Sequence, residues 1–238
     1  MLIILATSNA SKRTEICNIF SHYNLSNIKI ASFNEFIEPF EIIENGNTFA
    51  QNATIKAKAM YEALSNAQKS ANKGYSSNRE FLVLSEDSGI CIEALNGAPS
   101  VYSARFKDIS LNEEEQDSWM AYQKTLPSTL DTDSINIERV IYELKMRGLQ
   151  HSNASFVANI CLFGTLKGEK KTLCKHFEGI CKGRVVTQKC GERGFGYDPI
   201  FIPDGYMQTL AQITNKDSLS HRKKALEQCV KFLRAEIL

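Results

Sequence analysis

The chain has 238 residues, enough to bury a sizeable core without disulfide or metal staples. Apolar residues make up 43% and charged residues 23%, an ordinary globular composition that excludes a disordered chain. Lys and Arg number 28 against 27 Asp and Glu, for a net charge of +1, so the global basic field used in non-specific nucleic-acid binding is excluded.

The first element expected is a short buried strand over 2–6. Met1–Ala6 is apolar but lacks a basic flank and turns polar at Thr7, too early for a signal-peptide core. No apolar run approaches the roughly 20 residues that span a bilayer. Thr7, Ser8, Asn9, Ala10, Ser11 and Lys12 lead into a helix over 11–20, with Ile16, Ile19 and Phe20 at helical spacing. Such a segment reads either as an ordinary turn with a Ser or Asn cap, or as an anion site using the free N–H groups of a helix start. The pattern G-x-x-x-x-G-K-[ST] of a P-loop is absent.

A weak strand follows at 28–33, then Glu44-Asn45-Gly46. Thr48-Phe49-Ala50-Gln51 has the form of a capping box opening a helix that runs to about 66. Asn52 and Lys56 are four apart on one polar face of that helix, which taken alone reads as a solvated face. Residues 67–80 read as a polar surface loop. Phe81–Leu84 is a buried strand running straight into Ser85-Glu86-Asp87-Ser88-Gly89. Two adjacent acids at the carboxyl end of a strand suit a hard cation such as Mg²⁺, or form a solvated turn.

A further strand is expected at 90–95, and a turn at Asn96-Gly97-Ala98-Pro99. From 112 to 134 the chain is acidic and polar apart from Trp119, Tyr122 and Leu126 at helical spacing. Residues 135–147 form a clearer helix, 155–166 and 179–186 neighbouring strands, and 218–236 a last helix. Gly194-Phe195-Gly196-Tyr197-Asp198-Pro199 sets a ring between two glycines, either a turn before an edge strand or a platform for a base. The alternation of strands and helices predicts one α/β domain over 1–238. The seven cysteines are odd in number and contain no C-x-x-C, which disfavours a disulfide framework and a structural zinc site and fits a reducing cytoplasm.

Taken together, these segments resemble the inosine/xanthosine triphosphate pyrophosphatase family. The match runs through A-T-x-N-x-x-K at 6–12, E-x-G-x-T-F-x-x-N-A-x-x-K-A at 44–57 and E-D-S-G at 86–89. It continues through N-G-A-P-x-V-Y-S-A-R-F at 96–106, F-E-G at 177–179, G-F-G-Y-D-P-I-F at 194–201 and S-H-R-x-x-A-L at 220–226. The resemblance implies an elongated mixed sheet with flanking helices, two lobes around a central substrate cleft, and a homodimer. It implies Mg²⁺-dependent hydrolysis of ITP, dITP or XTP to the monophosphate and pyrophosphate. By resemblance, Thr7 to Lys12 and Lys56 hold the triphosphate, and Glu44 and Asp87 serve the metal. Asp87 is the proton acceptor, and Ser88 contacts substrate. Phe195, Gly196, Tyr197 and Asp198 form the base pocket, closed by Lys216, His221 and Arg222. No nucleic-acid or membrane partner is implied.

Three departures stand out. Glu86 occupies a place where Asp is common, which would loosen metal geometry there. Ser100 follows Pro99 where Gly is usual. The stretch at 112–134 looks like an insertion. The alternatives are a pyrophosphatase for pyrimidine or modified nucleotides, and a non-catalytic nucleotide-binding protein.

Overall fold

The computed structural model describes residues 1–23, 25, 27–70, 80–111, 113–166, 171–216 and 218–236. In chain order the elements are β1 (Leu2–Leu5), α1 (Ala10–His22), β2 (Lys29–Ser32), α2 (Phe49–Ser70) and β3 (Phe81–Ile92). Then come α3 (Glu113–Gln123), α4 (Thr132–Met146), β4 (His151–Gly164), β5 (Leu173–Val186), β6 (Phe201–Pro203) and α5 (His221–Glu236). The strands form one six-stranded sheet in the order β2-β1-β3-β4-β5-β6. β1 pairs parallel with both β2 and β3, whereas β5 and β6 are antiparallel. The expected mixed sheet with flanking helices is therefore present.

Contacts divide the chain into two compact units, Met1–Asp87 with Ala158–Gly179 and His221–Leu238, and Ser88–Val157 with Ile180–Ser220. In the first unit β1, the first half of β3 and residues 158–162 of β4 are buried on both faces, which explains their continuous apolar runs. Ile3 and Leu5 of β1, Leu82 and Leu84 of β3, and Ile160 and Leu162 of β4 pack with α1 and α5. The alternate residues Ile4, Phe81, Val83 and Cys161 pack with Ala53, Ala57, Met60 and Leu64 of α2. This is the period-two alternation of a strand serving two helix layers. In the second unit, α4 supplies Ile137, Val140, Ile141 and Leu144 to a core with Ile90, Ile92, Phe156, Ile200 and Phe201.

The structure differs from the sequence reading in several places, among them the starts of β4 at His151 rather than 155 and of β5 at Leu173 rather than 179. Residues 81–92 are one strand, so Glu86 and Asp87 sit mid-strand rather than in a turn at a strand's end. α2 continues to Ser70, and residues 71–79 of the expected loop lie outside the described residues. α3 ends at Gln123, which leaves Leu126 beyond it. Trp119 of α3 is fully buried, donates its indole N–H to the Lys107 carbonyl at 2.9 Å, and stacks on Arg139. The 112–134 stretch is thus tied into the second unit. Among the described residues no helix is long and apolar enough to cross a membrane.

Candidate active site

In the first unit, two helix starts and the middle of β3 bring charged groups together. α1 opens with Asn9 as N-cap, its side-chain oxygen accepting from the Lys12 N–H at 3.0 Å. Thr7 Oγ1 accepts from the Asn9 N–H at 3.2 Å and shapes the entry. Ser8, Asn9 and Ala10 are exposed there, and the first-turn N–H groups beyond the capped one have no intrahelical acceptor. At the start of α2 the expected box is half formed. Thr48 Oγ1 accepts from the Gln51 N–H at 3.2 Å, but Gln51 Oε1 reaches back to the Asn47 N–H at 2.7 Å instead of Thr48.

The turn after Gly46 lets Asn52 work at both ends of its amide. Its Oδ1 accepts from the Gly46 N–H at 2.8 Å, and its Nδ2 donates to Asp87 Oδ2 at 3.1 Å. One turn on, Lys56 Nζ lies 2.9 Å from Glu44 Oε2 and donates to the Glu86 carbonyl at 3.1 Å. Burial raises the Asp87 pKa, partly offset by Lys56 and the Asn52 hydrogen bond, and Glu44 adds a further upward push. A carboxylate so placed is a stronger base than a solvated one.

Glu86 is 3% exposed, and burial would push its pKa up, but Lys12 and Arg222 together hold it well below the usual carboxylate range. Arg222 Nε donates to Glu86 Oε2 at 2.7 Å, and its Nη1 donates to Glu15 Oε2. Lys12 Nζ stands 3.8 Å from Glu86 Oε1. Burial, followed by the Arg222 charge, pushes the His221 imidazole down to about 3, so it is neutral at physiological pH.

In the second unit, Phe195 is 49% exposed although it is a large ring. Gly194 has φ +87°, and a Cβ there would fall 2.0 Å from Asp198 Oδ2 and 2.6 Å from Lys216 Nζ. Only glycine therefore leaves room for the Asp198–Lys216 pair, closed at 2.5 Å. The Gly196 N–H donates to Asp133 Oδ2 at 3.1 Å.

Lys12, Glu44, Lys56 and Asp87 belong to the first unit, and Ser88, Phe195, Gly196, Asp198 and Lys216 to the second. The Tyr197 ring is buried in the core of the second unit, and its hydroxyl donates to the Ser103 carbonyl at 2.7 Å. Arg222, expected to close the base pocket, is 1% exposed in the first unit with His221, and its guanidinium is held by Glu86 and Glu15. A buried acid needs a cation, and Arg222 is that cation. The Ser11 side chain lies outside the described residues. Sequence reasoning left Asn52 out of the site although its spacing from Lys56 marked it. Glu15 and Asp133 carried no sequence signal, being single acids on helices.

A family model described as the Ham1 family matches residues 3–232. A dITP/XTP pyrophosphatase of Campylobacter jejuni is 40% identical over 229 residues, covering 95% of this chain and 94% of that protein. One of Helicobacter hepaticus is 35% identical over 252 residues, covering 98% of each. Among solved structures, the Staphylococcus aureus Ham1 protein is similar with a TM-score of 0.71 and 30% identity, covering 99% of this chain and 100% of that one. A HAM1 protein from Coxiella burnetii gives 0.71 and 29%, covering 98% of each.

Proposed function

The chain belongs to the Ham1 family, and we propose that it hydrolyses deaminated purine nucleoside triphosphates, ITP, dITP and XTP, to the monophosphate and pyrophosphate. The observation that carries this is the first unit's cluster, in which Asn52 and Lys56 hold Asp87, Glu44 and the Glu86 backbone in one hydrogen-bonded group. The match to relatives named dITP/XTP pyrophosphatases over 95% of the chain supports the substrate class.

Cleaving a phosphoanhydride is largely a matter of positioning and charge stabilisation. Lys12, Lys56 and the N-terminus of α1, at Thr7 to Ser11, supply positive potential for the triphosphate. Asp87, its pKa raised by burial, takes the proton of the attacking water. Asn52 fixes the carboxylate through Oδ2. Arg222 and Glu15 act behind this group by fixing the Glu86 side chain. Glu44 and Asp87 offer hard oxygen donors close enough to repel one another, a donor set that fits Mg²⁺. When bound there, Mg²⁺ neutralises charge on phosphate oxygens and lowers the pKa of water.

For the base, Phe195 offers an exposed face for stacking. Lys216 and Asp198 present a donor beside an acceptor. A 6-oxo purine offers the complement, O6 as acceptor and N1–H as donor, whereas adenine reverses both. Ser88 and His221 complete the contacts to substrate, with Gly196 and Tyr197 shaping the turn. The match through both units supports a single functional domain. The seven free cysteines support a reducing cytoplasm. A homodimer is part of the same reading. Product analysis tests the function: with ITP and Mg²⁺ the products should be IMP and pyrophosphate in equal amounts. Release of orthophosphate with IDP would overturn it.

A further inference from the structure

Besides the groups just described, the first unit carries a second cluster. Cys161 on β4 and Cys174 and His176 on β5 place one ligand atom each within 4.8 Å of one another. The Cys161 and Cys174 sulfurs are 4.0 Å apart, and Cys174 Sγ is 3.9 Å from His176 Nε2. We infer that Cys161, Cys174 and His176 form a binding site for a soft or borderline divalent cation such as Zn²⁺.

The spacing fits the chemistry. With Zn–S near ~2.3 Å and Zn–N near ~2.05 Å, tetrahedral angles set S···S at about 3.8 Å and S···N at about 3.6 Å. The Cys174 sulfur needs to close on its two neighbours by only a few tenths of an ångström, and the Cys161 sulfur and His176 Nε2 lie within 4.8 Å of one another. The histidine is oriented for the task. Its Nδ1 donates to the Asn159 side-chain carbonyl at 2.7 Å, and Asn159 is buried. That bond leaves the lone pair on Nε2, the nitrogen facing the sulfurs, as outer partners of metal-bound histidines do. The Thr54 hydroxyl hydrogen-bonds Nε2 at 3.0 Å, and the ion would take its place on that side of the site. There a cavity of about 380 Å³, lined by Gly46, Ala50, Gln51, Thr54, Ile55 and His176, gives water and the ion a way in. Three protein ligands with a water in the fourth position is an ordinary zinc arrangement.

Sequence spacing hides this site because the ligands come from neighbouring strands, with only Cys174 and His176 close in sequence. The ligand set also separates it from the oxygen donors Glu44 and Asp87, since thiolates select zinc-like ions and carboxylates select Mg²⁺.

Cobalt is the direct probe, because only a thiolate site gives sulfur-to-cobalt charge-transfer bands. Full-length protein, kept reduced with a phosphine, is titrated with Co²⁺ and then with Zn²⁺. Wild type should develop these bands with a single equivalent and lose them to Zn²⁺. Cys174→Ser, at an exposed position, and His176→Gln should each abolish or strongly shift the bands while far-ultraviolet circular dichroism is unchanged. Asn159→Ala should weaken Zn²⁺ binding by about tenfold to hundredfold, the usual loss for an outer partner. Asp87→Asn should leave the bands intact. Absence of the bands in fully reduced wild type would overturn the site, as would bands that survive both Cys174→Ser and His176→Gln.

Discussion

At the scale of single residues, the two adjacent acids of β3 do opposite work. Asp87 has its pKa raised by burial above the ordinary 3.8. The folded state therefore binds that proton more tightly than the unfolded state, and stability falls as pH rises through the folded pKa. At neutral pH the ionised carboxylate costs stability, which an uncharged amide would not. Asp87→Asn in chelator at neutral pH should melt no lower than wild type, while its kcat for ITP falls by at least ~10²-fold, the lower range for a general base. A folded variant with near-wild-type turnover would remove Asp87 from the proton-transfer role. Glu86 instead depends on its partners. Arg222→Ala should cost about 3–5 kcal/mol in urea unfolding, as for a buried pair broken on one side. Glu86→Gln in the same chain should recover part of that loss, and strictly additive losses would contradict the pairing. The sequence marked Glu86 and Asp87 as unusual because acids follow an apolar strand. It could not tell them apart, because their difference comes from Lys12, Arg222 and Glu15, which are remote in sequence.

At the scale of elements, β3 was the least legible. The acids and Gly89 broke its apolar pattern and read as a turn, yet pairing continues through them. The physical reason is that Asn52 and Lys56 of α2 and Arg222 of α5 satisfy the polar groups from the helix layers. Gly89 serves packing: a Cβ there would lie 2.2 Å from Ser103 Oγ and 2.6 Å from the Ser100 carbonyl. Gly89→Ala should therefore lower stability by roughly 1–3 kcal/mol, the range for overpacking, read as an earlier urea midpoint. An unchanged midpoint would mean that the 100–103 turn yields freely. That turn also explains a departure noted in the sequence. Ser100 has φ +51°, the left-handed region where glycine carries no side-chain penalty. Ser100→Gly should move the urea midpoint upward. The amphipathic helices were read correctly because α4 and α5 repeat apolar residues at helical spacing over several turns.

At the scale of the whole molecule, the near-neutral net charge conceals local order. Lys12, Lys56 and Arg222 stand among Glu15, Glu44, Glu86 and Asp87 in the first unit, and Asp198 pairs with Lys216 in the second. Composition could exclude a nucleic-acid field but could not reveal these pairings, which arise from residues far apart in the chain. The ordered motifs identified the family, and the pairings within each unit support the roles proposed for those motifs. The most direct test is the kcat/KM for pyrophosphate release from ITP and XTP against ATP, with Mg²⁺ and with a chelator. A donor and acceptor matched to a 6-oxo purine predict a preference over ATP of about 10⁴, with activity lost on chelation. ATP turned over as efficiently as ITP, or an undiminished rate in chelator, would contradict the account.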